Sequence, residues 1–186
     1  MKKSNSKGLP LKALAMMAIL AALSIILGKY LAIGVGDVLR FSFENLPIIF
    51  AGIMFGPMGG ILVGVVADLI GCVLVGYAIN PIITLGAAAI GGISGLFWIF
   101  KKKMHGISSA VKIPICVILS HIVGSVIIKT FGLSAFYDMP FLILMLWRLL
   151  NYAIIGALES VILYFLTKNK AISKEMANFS LKGHER

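Results

Sequence analysis

The sequence predicts an all-α polytopic membrane protein, built as a bundle of six transmembrane helices with both termini in the cytoplasm. Its 186 residues are 60% hydrophobic and only 13% charged, and the mean hydropathy is +1.02. Ordinary soluble domains carry about 25% charged residues. A soluble domain of this length could not bury so much apolar surface, so the composition favours an integral membrane protein.

The apolar residues fall into six runs, and about 20 residues are needed to cross a bilayer as a helix. The runs cover residues 11–31, 43–57, 58–77, 82–100, 112–131 and 140–167. Gly56-Pro57 predicts a tight turn between the second and third runs. The expected organisation is an N-terminal cytoplasmic segment 1–10, a membrane domain 11–167 and a cytoplasmic tail 168–186.

The net charge of +10 would suggest a nucleic-acid partner in a soluble protein, but the positions of the charges indicate a bilayer instead. Thirteen of the seventeen basic residues lie before or at the start of the first run, flank the loop between the fourth and fifth runs, or lie in the tail. The positive-inside rule makes those regions cytoplasmic. Loops 32–42, 78–81 and 132–139 then face outward, and four basic residues are left in the outer half of the protein: Lys29, Arg40, Lys129 and Arg148.

These outer charges, together with nearby aromatic residues, predict an outward-facing cup that binds an anionic ligand with a flat ring. An ionisable group in a membrane span is costly and usually faces a partner or a ligand. Arginine holds carboxylates in a two-point geometry, and aromatic faces stack on rings. The residues predicted to bind substrate are Lys29, Arg40, Phe41, Phe43, Glu44, Asp68, Tyr77, Asn80, Thr84, Lys129, Trp147, Arg148 and Asn151.

Two further sets of polar residues follow helical spacing, so each set should lie as a polar stripe on one face of its helix. One stripe contains Arg148, Tyr152 and Glu159, and the other contains His121, Ser125 and Lys129.

Structural alternatives exist for several of these residues. Arg40 and Glu44 could form an i, i+4 pair if the second helix begins early. Asp68 could be a structural partner of Arg148 or His121. The two outer lysines, Lys29 and Lys129, could extend to the outer headgroups.

Small residues on the first run predict a surface for a partner helix. Ala15, Ala18, Ala21 and Ala22 make one part of this helix smooth, and Ala18 and Ala22 form a small-xxx-small pair that lets another helix approach closely. The glycines repeated every four residues in later runs are interpreted as internal packing.

Sequence motifs for catalysis are missing. The chain contains no GxxxxGK[ST], HExxH or GxSxG pattern, so we expect neither an enzyme nor a protein with a cofactor or metal. If the protein takes part in transport, other subunits must supply the energy.

Three segments resemble the substrate-binding S component of energy-coupling-factor vitamin transporters, and most closely the folate-type branch. They are LRFSFENLPIIFAGIMFGPMGGILVGVVADLIG (39–71), TLGAAAIGGISGL (84–96) and LWRLLN (146–151). The resemblance implies a cell-membrane subunit that captures a vitamin and docks on a transmembrane coupling subunit with two ATPase subunits. It also implies that Ala18 and Ala22 form the docking face and that the outer loops near 32–42, 77–81 and 132–139 act as lids.

Folate fits the predicted cup, since its glutamate tail carries two carboxylates and its pterin is a flat ring with adjacent N–H donors. Three alternatives remain open at this point. They are pantothenate or another vitamin in the same transporter class, a membrane enzyme acting on an anionic lipid headgroup, and a small structural or channel subunit.

Overall fold

The structure is a computed structural model that describes residues 11–35, 39–100 and 106–184. Its helices confirm the predicted class of an all-α membrane protein. Within these described ranges, five helical stretches are long and apolar enough to cross a membrane: Leu11–Tyr30, Asn45–Val75, Pro81–Phe100, Ser109–Phe136 and Phe141–Lys168.

The elements follow one another with short connections. They are α1 (Leu11–Ile25), a π-helical turn (Ile26–Tyr30), β1 (Ile33–Val35), β2 (Leu39–Phe41), α2 (Asn45–Val75), α3 (Pro81–Phe100), α4 (Ser109–Ser120), a π-helical segment (His121–Ile128), α5 (Lys129–Tyr137), α6 (Phe141–Lys168) and α7 (Lys170–His184). The fourth membrane stretch, Ser109–Phe136, thus runs through α4, the π-helical segment and α5 without a break.

The long element α2 is a hairpin of two arms, residues 45–55 and 57–75. Gly56 has φ 81° and ψ −176°, a conformation that suits glycine, and Pro57 follows it. A Cβ built on Gly60 would lie only 2.8 Å from the Cα of Gly52. Eight residues of straight helix would separate these positions by about 12 Å. The chain therefore reverses at the predicted Gly56-Pro57 turn, and the five stretches become the six membrane segments that the sequence predicts.

Glycines allow the backbone of this hairpin to pack closely against α3. A Cβ on Gly60 would overlap the carbonyl oxygen of Gly91, and one on Gly64 would overlap the carbonyl oxygen of Ala87. A Cβ on Gly95 would overlap the backbone at Pro57. The repeated glycines of these helices thus serve internal packing, as expected.

Contacts at one end of the bundle bring the start of α1, the Gly56 turn and α7 together. Lys12 Nζ lies 2.6 Å from Oε1 of Glu175, and the rings of Phe55 and Phe179 are 5.0 Å apart. This is the end that the sequence predicts to be cytoplasmic. The opposite end, where α2 begins and α3 begins, is called the site end below.

A short antiparallel ribbon, β1 with β2, lies at the site end and was not part of the all-α prediction. It pairs Ile33 with Phe41 and Gly34 with Arg40. Since α2 begins only at Asn45, the suggested helical i, i+4 pair of Arg40 and Glu44 is wrong. The side chain of Arg40, like all of the predicted lid residue Asp37, lies outside the described part of the chain.

Candidate functional site

An ion pair between the start of α2 and the start of α5 is the centre of the candidate site. Lys129 Nζ lies 3.0 Å from Oε1 of Glu44 and 3.4 Å from Oδ1 of Asn45. The Lys129 side chain is 6% exposed and the Glu44 side chain 26% exposed. Lys129 is thus a buried cation with a protein partner, and the alternative that it extends to the outer headgroups is wrong.

The charge on Glu44 is stabilised by its surroundings. Burial by itself raises the pKa of a carboxyl, but the positive charges of Lys129, Lys29 and Arg148 act against it. Together with the hydrogen bond from Lys129, they lower the pKa of Glu44 from 4.5 to about 2. The site therefore already accommodates one carboxylate, supplied by the protein itself.

Lys29 approaches the same region from the end of the first helix. Its ammonium lies 5.6 Å from the centroid of the Tyr77 ring, a cation–π distance. A Cβ on Gly71 would lie 2.9 Å from Cε of Lys29, so the glycine makes room for the lysine stem. Lys29 is half-buried, whereas Tyr77 is 54% exposed.

Arg148 is fixed on α6 by two hydrogen bonds. Its Nε donates to the backbone carbonyl of Ser125 over 3.1 Å, and its Nη2 donates to the Tyr152 hydroxyl over 3.4 Å. The guanidinium also lies 5.6 Å from the centroid of the Tyr152 ring. Because arginine has five N–H donors in a planar fork, this anchoring orients a group that can still bind a carboxylate.

His121 and Glu159 form a buried pair deeper in the bundle. His121 Nε2 lies 2.6 Å from Oε2 of Glu159, and the two side chains are 3% and 0% exposed. The His121 ring stacks on Tyr152 with centroids 4.6 Å apart. His121 of this pair therefore packs against Tyr152, the residue whose hydroxyl accepts a hydrogen bond from Arg148.

Asp68 has a different partner from the two that its charge suggested. Its Oδ2 accepts a hydrogen bond of 2.6 Å from the Thr84 hydroxyl, so the proposed pairing with Arg148 or His121 is wrong. Asn80, which is 2% exposed, accepts from the backbone N–H groups of Ile82 and Ile83 and donates to the carbonyl of Gly132. The Asn80 side chain thus caps the start of α3 and links this helix to α5 by a hydrogen bond.

The remaining predicted residues are placed around this cluster. Phe41 and Phe43 are half-buried, and Phe43 packs against the hydrophobic core. Trp147 is 44% exposed, whereas Asn151 is buried at 6% exposure. Of the predicted residues, the structure therefore gathers Glu44, Lys29, Lys129 and Arg148 most closely.

Three residues complete the cluster but were not predicted as binding residues: Asn45, Ser125 and Tyr152. The Ser125 hydroxyl lies 3.4 Å from Nδ2 of Asn45 and 3.3 Å from Nδ1 of His121. Ser125 and Tyr152 already stood in the two polar stripes. Asn45 could have been found as a polar side chain at the start of an apolar run, where such groups need a partner.

The predicted docking face on α1 is exposed, apart from one alanine. Ala15, Ala18 and Ala22 are exposed, whereas Ala21 is 4% exposed and faces the core. The register containing Ala18 and Ala22 therefore faces away from the bundle.

The described residues contain no group of three or more His, Cys, Asp or Glu that could hold a metal ion. The cluster offers fixed cations beside an exposed aromatic ring, that of Tyr77.

A family model for the ECF transporter substrate-specific component matches residues 12–167. A curated relative, the folate transporter FolT of Clostridium novyi (strain NT), is 26% identical over 149 residues, which cover 80% of this chain and 83% of the relative.

Solved structures share the fold. A crystal structure of FolT bound with folic acid has a TM-score of 0.68 at 24% identity and covers 84% of this chain and 93% of its own. The S component for biotin from an ECF-type ABC transporter has a TM-score of 0.65 at 21% identity, with 85% and 92% covered. The S component of a bacterial ECF transporter has a TM-score of 0.60 at 21% identity, with 90% and 96% covered.

Proposed function

Because this chain belongs to the family of ECF transporter substrate-specific components, we propose that it captures folate at the outer face of the cell membrane. The family comprises multi-pass membrane proteins that bind a substrate for transport, so the protein is not an enzyme. Capture needs no ATP, and uptake requires a transmembrane coupling subunit and two ATPase subunits.

The single observation that carries the choice of ligand is the environment of Glu44. Lys129, Lys29 and Arg148 all stabilise the charge of this one carboxylate. A site that holds one carboxylate among three cations suits a ligand that brings two more. The similarity to a FolT protein points to the same ligand.

The ring of folate would lie against the aromatic residues of the site end, and its tail against the cations. Tyr77 and Trp147 present exposed aromatic surface there. Arg148 offers its fork to a tail carboxylate, and the outer segments 32–42, 77–81 and 132–139 close over the ligand. In this arrangement Asp68 and Thr84 form a hydrogen-bonding pair that can accept N–H groups of the pterin.

Binding by the purified subunit tests this proposal. The protein is titrated in detergent, without ATP, with folate, pantothenate and biotin by isothermal calorimetry. We expect saturable binding of folate at micromolar concentration or below. Binding of pantothenate or biotin without folate would refute the ligand and leave the capture role intact. Failure of all three would contradict vitamin capture by this site.

A further inference from the structure

A continuous chain of hydrogen bonds runs from Lys129 to Glu159 through the bundle interior. Lys129 donates to Oδ1 of Asn45 (3.4 Å), and Nδ2 of Asn45 donates to the Ser125 hydroxyl (3.4 Å). That hydroxyl meets Nδ1 of His121 (3.3 Å), and Nε2 of His121 meets Glu159 (2.6 Å). A neutral imidazole with its proton on Nε2 pairs a donor with an acceptor at every step.

A second branch leaves this chain at His121 and ends at Arg148. The imidazole stacks on Tyr152 at an angle of 23° between the ring planes, and Tyr152 accepts a hydrogen bond from Arg148. The other bond of Arg148 goes to the carbonyl of Ser125, the residue whose hydroxyl contacts His121. Both contacts that fix the guanidinium therefore go to residues that also contact His121.

The position of Glu159 requires an explanation beyond packing. Its side chain is fully buried in a spanning helix, and its Oε1 has no hydrogen-bond partner among the residues that the structure describes. Burying a carboxylate costs free energy unless its oxygens are hydrogen-bonded, so apolar packing alone would not require one here. A carboxylate that accepts from one imidazole nitrogen does, however, fix the tautomer and the orientation of the ring.

The helix that carries His121 is itself irregular here. Residues His121–Ile128 are π-helical, and such segments occur frequently at functional sites. This segment supplies both the imidazole and the carbonyl of Ser125, so it presents to α6 the groups that Arg148 and Glu159 require.

We propose that Glu159 and His121 are positioning residues, which hold Tyr152 and Ser125 and thereby orient the guanidinium of Arg148 toward the carboxylate tail of the ligand. The ligand part of this inference rests on the proposed function. Glu159 acts through its neighbours and touches no substrate.

A double-mutant cycle tests the connection. Folate and a pterin lacking the glutamate tail are titrated against the wild type, Glu159→Gln, Arg148→Ala and the double variant. We expect Glu159→Gln to weaken folate binding roughly 3- to 30-fold, in the range of coupled neighbours, and to leave the pterin nearly unchanged. In the Arg148→Ala background it should cause no further loss. Additive losses, or equal losses for both ligands, would overturn the proposal.

Matched variants separate this effect from general damage to α6. Tyr152→Phe removes only the hydroxyl that accepts from Arg148 and should reproduce the selective loss. It also provides the test if Glu159→Gln does not fold. Ser160→Ala removes a hydroxyl that donates within α6, to the carbonyl of Gly156, and should change neither affinity.

A measurement without ligand keeps the two proposals distinguishable. The chain has three arginines, Arg40, Arg148 and Arg186, so the Nε–H signal of Arg148 can be assigned in ¹⁵N spectra with Arg148→Lys. We expect slow solvent exchange of this proton in the wild type and faster exchange in Glu159→Gln. Unchanged exchange would overturn the positioning role. Faster exchange in a protein that does not bind folate would refute the ligand alone.

Discussion

The ammonium of Lys129 lies 3.0 Å from the carboxylate of Glu44, although 85 residues separate them in the sequence. This contact joins the start of α2 to the start of α5 at the site end. It neutralises a lysine whose side chain is only 6% exposed. The ion pair is therefore a structural contact, and in the proposed function it is also part of the electrostatic environment of the ligand.

Glu44 should make stability depend on pH in the acid range. Its pKa is about 2 in the folded protein, against 4.5 in the unfolded chain, so its contribution is full above pH 4.5 and is lost as the pH falls toward 2. The loss should be on the order of 2–3 kcal/mol. Thermal unfolding in detergent, followed between pH 7 and pH 3, measures it.

Glu44→Gln serves as the comparison for that experiment. The variant should be less stable at pH 7, because Lys129 loses its counter-charge, and the unfolding temperature should change less between pH 5 and pH 3. Parallel pH curves for the two proteins would show that Glu44 does not carry the acid sensitivity.

Arg148→Ala should weaken folate much more than a pterin without the glutamate tail. A lost charge-assisted hydrogen bond costs about 1.5–3 kcal/mol, roughly 10- to 100-fold in affinity. Calorimetric titration of both ligands gives the ratio. Lys170→Ala, which removes an exposed cation at the other end of the bundle, should leave both affinities unchanged. Equal losses in Arg148→Ala would mean that the arginine contacts the ring or shapes the fold.

Replacing Ala18 and Ala22 together by Trp should block transport and leave capture intact. Both alanines are exposed on α1, and small-xxx-small contacts require helix backbones to come close. Folate binding to the isolated subunit and folate uptake by cells with the coupling and ATPase subunits are measured on the same variant. Ile154→Trp, at a position 56% exposed on α6, is the control for added bulk in the bilayer. Normal uptake by the variant with Trp at both positions would place the docking face elsewhere.

Gly91→Val should destabilise the helical hairpin of α2 against α3. A Cβ at this position would overlap the backbone of Gly60, and forcing extra atoms into a packed interior typically costs about 1–3 kcal/mol. A fall in the unfolding temperature and in the yield of folded protein would show this. Gly34→Ala, where nothing lies within 4 Å of the added carbon, should be neutral. A stable Gly91→Val protein would contradict the close approach of these helices.

The sequence by itself determined the class of the protein and most of its segment boundaries. The last run, predicted at 140–167, is the helix Phe141–Lys168, and the fourth, predicted at 82–100, is Pro81–Phe100. Hydropathy is a local property, and the thickness of the bilayer sets the length of each span. The reversal of the chain at Gly56-Pro57 could also be predicted from the sequence, because the backbone conformation of this turn depends on those two residues.

The C-terminal helix was missed, although its signal is present. Ile172, Met176 and Phe179 follow helical spacing in a polar segment, and in the structure they pack against the core. The high charge of the segment favoured interpreting it as a tail, and only the contact between Phe179 and Phe55 decides where the helix lies.

Only the tertiary structure decided which polar groups are partners. Glu44 pairs with Lys129, and Asp68 pairs with Thr84. Spacing along one helix indicates which residues share a face, but the rotation of each helix about its axis depends on how all the helices pack together. The glycine contacts between α2 and α3 and the π-helical segment set that rotation, and they place Arg148, His121 and Glu159 in one connected group.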